Sequence, residues 1–290
     1  MNVQVKAYAK LNLTLDITGA KNGFHLIDSV VTTVDIYDLI SVSKRKDRLV
    51  TIAMHGLGCE SIPYENNNTV KAAQAFIEKF NTTGADITVY KNIPMGAGMG
   101  GSSADAAGVL NALKKLYKIT DEEGVIEIAN SVGSDTAYML KGGYARLTGR
   151  GEEVKPINSK LKLDFLIFLP KEGVSTAECY KRFDKLEKTN GRYSGNAENA
   201  LLNGDVAMLC KNLNNDLFAP AISLCSAIKT EYENALCFSP EGVNMTGSGS
   251  AVYVIFQNAE FCRWAQSRYF GKARVIQTKT VIPVNKQKND

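Results

Sequence analysis

A glycine-rich run constrains this chain more than any other feature. It reads Ile93-Pro94-Met95-Gly96-Ala97-Gly98-Met99-Gly100-Gly101-Ser102-Ser103-Ala104-Asp105 and joins a β-patterned segment to a helical one. Four glycines between positions 96 and 101 let the backbone curl without Cβ clashes and turn successive N–H groups to one side. Such a nest at a helix N-terminus binds anions, phosphate above all. Ser102 and Ser103 add hydroxyls suited to phosphate or to Mg²⁺. A plain tight turn with a serine cap needs fewer glycines.

Two familiar phosphate-binding patterns do not fit. Gly96-x-Gly98-x-x-Gly101 matches the dinucleotide fingerprint, which asks for an acidic residue about 20 positions on. Here that region is Leu116-Tyr117-Lys118, and Asp121 reads as a helix cap. The Walker A pattern fails because Ser102 stands where lysine is required. Neither H-R-D nor D-F-G occurs, which excludes a protein kinase.

The 290 residues suffice for one large or two ordinary domains, and 44% are hydrophobic, enough for a sizeable core. A net charge of +4 spread along the chain argues against a nucleic-acid partner. The densest basic run, Lys44-Arg45-Lys46 with Arg48, reads as a solvated hairpin. Six cysteines without C-x-x-C spacing read as free thiols in a reducing compartment. No apolar run approaches the ~18 residues of a membrane span. A cytoplasmic location is expected, and monomer and homodimer both remain open.

The pattern predicts strands over 3–16, bending near Lys10, and over 30–43, 49–54 and 85–93, with helices over 69–81, 103–117 and 121–131. Asn68 or Thr69 is the expected cap of the first helix. A hairpin over 144–154 turns at Gly149-Arg150-Gly151, and a boundary is expected near 156. Beyond it the pattern predicts strands over 163–169, 242–246, 251–256 and 273–280. Helices are predicted over 176–187, 197–212, 220–235 and 259–269. This mixture points to an α+β chain.

The glycine-rich run resembles the phosphate loop of the GHMP kinases, a superfamily of small-molecule kinases. Ala7-Tyr8-Ala9-Lys10-Leu11-Asn12-Leu13 resembles that family's first motif, and Met245-Thr246-Gly247-Ser248-Gly249-Ser250-Ala251 its third. Finer features are similar to the branch acting on a cytidine diphosphate-linked alcohol in non-mevalonate isoprenoid precursor synthesis. They are Gly23-Phe24-His25, Gly133-Ser134-Asp135, Asn215-Asp216-Leu217, and Gly173-Val174-Ser175-Thr176-Ala177-Glu178 with Tyr180. Phe24 replaces that branch's usual tyrosine and Phe218 a common glutamate. The Ser-Ser-Ala order is closer to mevalonate and homoserine kinases.

The resemblance implies a two-domain GHMP kinase fold. The N-terminal domain, 1–155, would resemble domain 2 of ribosomal protein S5, and the C-terminal domain, 156–290, would be ferredoxin-like. It implies ATP with Mg²⁺, a small-molecule acceptor phosphorylated on its 2-hydroxyl, and neither nucleic acid nor membrane as partner. Lys10 and Asp135 would be the catalytic pair, with Asp135 as base. Residues Pro94 to Ala104 would hold the nucleotide. Phe24 and Tyr180 would sandwich a cytosine, His25 would read its edge, and Asn12 and Thr176 would bind polar parts of the substrate. The Mg²⁺ ligands stay open, with Ser103 and water the first expectation. Taken alone, Asp135 after Gly-Ser is a helix-end cap and Lys10 a solvated strand lysine. A homoserine- or mevalonate-type kinase and a non-catalytic nucleotide-binding protein are the alternatives.

Overall fold

A 21-residue strand, β3 (Phe24–Lys44), organises the N-terminal half. Its β-branched residues Val30, Val31, Val34, Ile36, Ile40 and Val42 are buried, the pattern of a strand covered on both faces. The structure is a computed structural model describing residues 2–281 except 57, 60–62 and 187–191. The expected helix end at 187 and the loop residue Leu57 therefore lie outside the described residues.

Strands β1 (Asn2–Asn12), β2 (Thr14–Lys21), β4 (Val50–His55), β5 (Ala85–Tyr90), β6 (Tyr144–Thr148), β7 (Glu153–Pro156) and the two-residue β9 (Asn214–Asn215) join β3 in one sheet. Helices α1 (Asn68–Lys79), α2 (Gly101–Tyr117), α3 (Glu122–Val132) and the short α4 (Thr136–Met139) belong to the same half. Four antiparallel strands form the second sheet, in the order β10 (Gly242–Met245), β11 (Val252–Phe256), β8 (Asp164–Leu169), β12 (Arg274–Lys279). Helices α5 (Thr176–Phe183), α6 (Ser194–Asn203), α7 (Val206–Lys211), α8 (Phe218–Leu224), α9 (Ser226–Leu236) and α10 (Ala259–Arg268) complete the chain. This strand order is ferredoxin-like, as expected.

The bend expected near Lys10 is a bulge. Pairing jumps from Tyr8–Tyr37 to Lys10–Thr33, so Ala9 alone faces residues 34–36 of β3. Bulges re-aim side chains, and the residue following this one is Lys10. Helix α2 lies close on β1 and β3 because Gly108 has no side chain. A Cβ there would stand 2.9 Å from Ile40 Cδ1 and 3.0 Å from Ala7 Cβ. One apolar cluster runs from Leu11 and Leu13 to Phe165, Ile167, Tyr253 and Ile255, tying the two sheets together.

Several expectations need correction. The basic run is not a hairpin: β4 pairs in parallel with β5, which lies between it and β3. Arg45 instead pairs with Asp47 and Asp86. Asn67, not Asn68 or Thr69, caps α1 by accepting from Thr69 N at 2.9 Å. Residues 197–212 form two helices, because Gly204 ends α6 at φ 68° and Asp205 caps α7. Residues 220–235 also divide, at Cys225, whose extended backbone ends α8. All six cysteines are free thiols. No helix among the described residues is long and apolar enough to cross a membrane.

Candidate active site

Five segments distant in sequence converge between the sheets. They are the end of β1, the glycine-rich loop with the start of α2, the α3–α4 turn, the start of α5, and the β10–β11 loop.

The loop alternates. Gly96, Gly98 and Gly100 take φ of 65°, 72° and 75°, while Ala97 and Met99 between them are buried and anchor the curl. Left-handed backbone at every second position explains why glycine recurs there. At Gly98 a Cβ would lie 2.1 Å from the carbonyl oxygen of Thr246, so backbone meets backbone. The β10–β11 loop braces this curl: Thr246 Oγ1 donates to Gly98 O at 3.1 Å and Ser250 N to Gly96 O at 3.3 Å. No side chain caps α2, whose N-cap is Gly100. Its first amides and positive dipole end stay available to an anion. The Ser102 and Ser103 hydroxyls make no hydrogen bond to described residues.

Lys10 is buried beside this loop. Its Nζ donates to Asn12 Oδ1 at 2.5 Å and lies 3.4 Å from Asp135 Oδ2. Its backbone N donates to Met99 O at 3.1 Å, and its stem packs against Gly100. Asp135 stands at the N-cap position of α4 yet makes no capping hydrogen bond. The cap alternative therefore fails, and the quarter-exposed carboxylate faces the ammonium. Asn12 joins the motifs: Oδ1 accepts from Lys10 and from Gly247 N at 3.0 Å, and Nδ2 donates to Ser29 Oγ at 2.9 Å. Its amide is thus largely committed within the protein.

Two adjoining cavities of ≈ 330 and ≈ 320 Å³ meet at Gly98, Gly100, Ser102, Thr176 and Ser248. The first is walled by loop residues 94–102, Asn67, Lys91 and Asp105. The second holds Lys10, Asn12, Ser103, Asp135 and Arg150, with Leu15, Ile27, Tyr180 and Leu217 as apolar wall. Ala104, expected at the nucleotide, is buried in α2 and lines neither cavity.

The aromatic residues are arranged differently from the expected sandwich. His25 stacks on Tyr180 at 4.6 Å and meets Phe183 edge-on, and its Nε2 pairs with Asp184 Oδ1 at 2.7 Å. Phe24 is exposed beneath the Arg150 guanidinium, 5.1 Å from ring centre to Cζ. Of Phe24, His25 and Tyr180, only Tyr180 lines either of these two cavities. Burial, then the Asp135 charge, pushes the Tyr180 hydroxyl up to about 12, so it stays protonated. Thr176 bridges α5 to Ser248 through a 2.8 Å hydroxyl contact.

Sequence reasoning missed the buried cluster under the first cavity. Lys91 Nζ bonds Asp105 Oδ2 at 2.6 Å and also Asp38 Oδ2, while Asp38 Oδ1 accepts from Asn92 N and Ile93 N. Burial drives the Asp105 pKa well above the usual carboxylate range against the pull of Lys91, and Asp38 adds to the rise. Burial also opposes the Lys91 charge, yet the two carboxylates outweigh it and raise its pKa. No local motif signals this cluster, because its members lie on β3, after β5 and on α2.

No group of three metal-binding side chains occurs among the described residues. The Ser103 hydroxyl on the wall of the second cavity is an oxygen donor of the kind Mg²⁺ accepts.

Residues 67–145 match the GHMP kinases N terminal domain and residues 197–261 the GHMP kinases C terminal family. The chain is 38% identical over 268 residues to a 4-diphosphocytidyl-2-C-methyl-D-erythritol kinase of Desulfitobacterium hafniense, covering 89% of this chain and 88% of that one. It is 34% identical to the same-named protein of Clostridium tetani, covering 92% and 97%. A solved 4-(cytidine 5'-diphospho)-2C-methyl-D-erythritol kinase superposes with a TM-score of 0.78 at 26% identity, covering 96% and 100%. Homoserine kinase from Cytophaga hutchinsonii, at 17% identity, TM-score 0.76, and coverage of 97% and 95%, shares the fold.

Proposed function

We infer the activity from the premise that the chain belongs to the GHMP kinase family, among the 4-diphosphocytidyl-2-C-methyl-D-erythritol kinases. It is a small-molecule kinase that transfers the γ-phosphoryl group of ATP to that alcohol, on its 2-hydroxyl, in isoprenoid precursor synthesis. The observation that carries the site assignment is the pair of cavities joined over the glycine loop, with Lys10 and Asp135 in one and the loop walling the other. Donor and acceptor then approach from opposite sides of Gly98 and Gly100.

In this reading the loop amides and the Ser102 hydroxyl bind the phosphates. Ser103 would hold Mg²⁺, which when bound offsets phosphate charge. Asp135 takes the proton of the attacking hydroxyl. As the new O–P bond forms, the bond from the γ-phosphorus to its bridging oxygen breaks and ADP leaves. Lys10 opposes the charge on the transferring group and, 3.4 Å from Asp135 Oδ2, orients that carboxylate. Asn12 positions Lys10. Tyr180 and the apolar wall receive the cytosine, with Phe24 at the rim. His25 fixes Tyr180, and with Nε2 hydrogen-bonded to Asp184 its other ring nitrogen is left to read the base edge. A cytoplasmic setting fits this chemistry.

The test is MgATP consumption with 4-diphosphocytidyl-2-C-methyl-D-erythritol, homoserine, mevalonate or no acceptor. Turnover is expected with the first alone. Asp135→Asn should lower kcat by about 10²–10⁴ with little change in KM for ATP. Equal turnover of homoserine or mevalonate would refute the substrate, and an Asp135→Asn enzyme within about threefold of wild type would refute the base.

A further inference from the structure

We propose that Arg150 is a specificity residue that clamps the diphosphate of the acceptor, a proposal resting on the cytidine diphosphate-linked reading above. Among the residues lining the acceptor cavity, only Lys10 and Arg150 are cationic and only Asp135 is anionic. Lys10 is buried and committed to Asn12 and Asp135. An acceptor bearing two phosphoryl groups brings about two further negative charges into this space. Arg150 is the cation left to meet them.

The turn presents Arg150 in a fixed direction. Gly149 and Gly151 flank it at φ 69° and 110°, and Glu152 accepts from its backbone N at 2.5 Å. Ile27 N donates to Gly149 O at 2.7 Å, which pins the turn to β3. A Cβ at Gly151 would lie 3.4 Å from Ser134 O, so the turn packs against the Gly133-Ser134-Asp135 segment. The guanidinium reaches toward Phe24, and its one ion pair among the described residues is a 3.4 Å contact from Nε to Glu152. Both terminal nitrogens are free of hydrogen bonds to described residues. That free edge is the planar fork that matches paired phosphate oxygens, a geometry lysine lacks. A molecule reaching from Tyr180 to Asp135 occupies the cavity that Arg150 lines. Its hydroxyl end meets the base and its aromatic end the apolar wall, with the diphosphate between them.

The experiment measures calorimetric affinities of cytidine and CDP for wild type, Arg150→Ala and Arg150→Lys, at two salt concentrations. Wild type should bind CDP more tightly than cytidine, with salt weakening CDP alone. Arg150→Ala should lose about 10–100-fold in CDP affinity, the worth of hydrogen bonds to a charged group, and keep cytidine affinity. Its CDP affinity should lose most of its salt dependence. Arg150→Lys should recover part of the affinity. In turnover, Arg150→Ala should raise KM for the acceptor and leave KM for ATP unchanged. Equal loss of cytidine and CDP would overturn the proposal and assign Arg150 to supporting Phe24. Unchanged CDP affinity would overturn it outright. A wild-type protein that binds neither ligand would remove the cytidine-linked reading and the proposal with it.

Discussion

Replacing Thr246 with valine changes one hydroxyl to a methyl at the point where the third motif meets the other two. The side chain is fully buried. Its Oγ1 accepts from Asn12 N at 3.1 Å and donates to Gly98 O, also at 3.1 Å. Valine keeps the shape and strips both partners. Each buried group left unpaired costs about 1–3 kcal/mol, and the added apolar contact returns about 1 kcal/mol. The net loss is about 1–5 kcal/mol, the reason this swap is not conservative in a core. In a chain of this size each kcal/mol is worth about 2–4 °C, so the melting midpoint should fall by about 2–20 °C. Urea titration should show a lower midpoint with an unchanged slope. Because Gly98 loses its brace, KM for ATP should rise several-fold. A midpoint within about 1 °C of wild type would refute the reasoning, because relaxation or water would then be satisfying both groups.

Three further outcomes follow from the same geometry. Gly98→Ala forces a side chain into left-handed backbone against the Thr246 carbonyl, so calorimetry should show ATP binding lost while circular dichroism stays native. Lys91→Met strands Asp38 and Asp105 in the interior and should cost about 3–5 kcal/mol by urea titration; a loss below about 1 kcal/mol would mean the cluster is hydrated. Asp105 has a raised folded-state pKa, so its contribution to stability is complete below the ordinary value of 3.8 and is lost as pH rises through the folded value. Asp105→Asn should therefore flatten the decline in stability with pH, read as urea midpoints from about pH 4 to 8. A mutant curve parallel to wild type would refute that assignment.

What the sequence determined by itself is local. The glycine spacing from Gly96 to Gly101 requires a curl of left-handed backbone, and the amphipathic and β-branched runs dictate most helices and strands. The three motifs in order identified the family and, through it, the fold. Even helix breaks were legible in principle: Gly204-Asp205 is a stop followed by a cap, overlooked within a longer apolar pattern. Long-range pairing was not legible. The basic run after β3 looks the same whether the chain returns beside β3 or crosses over, and only the insertion of β5 decided it. Nor can spacing show that Asp135 leaves its helix uncapped, that His25 stacks on Tyr180, or that Lys91 joins Asp38 to Asp105. These contacts join residues from different elements, and their energies depend on distance and burial that exist only once the two sheets share a core. Arg150 is the plainest case: its sequence says a tight turn, and tertiary packing against Ile27 and Ser134 turns it into a wall of the cavity holding Lys10 and Asp135.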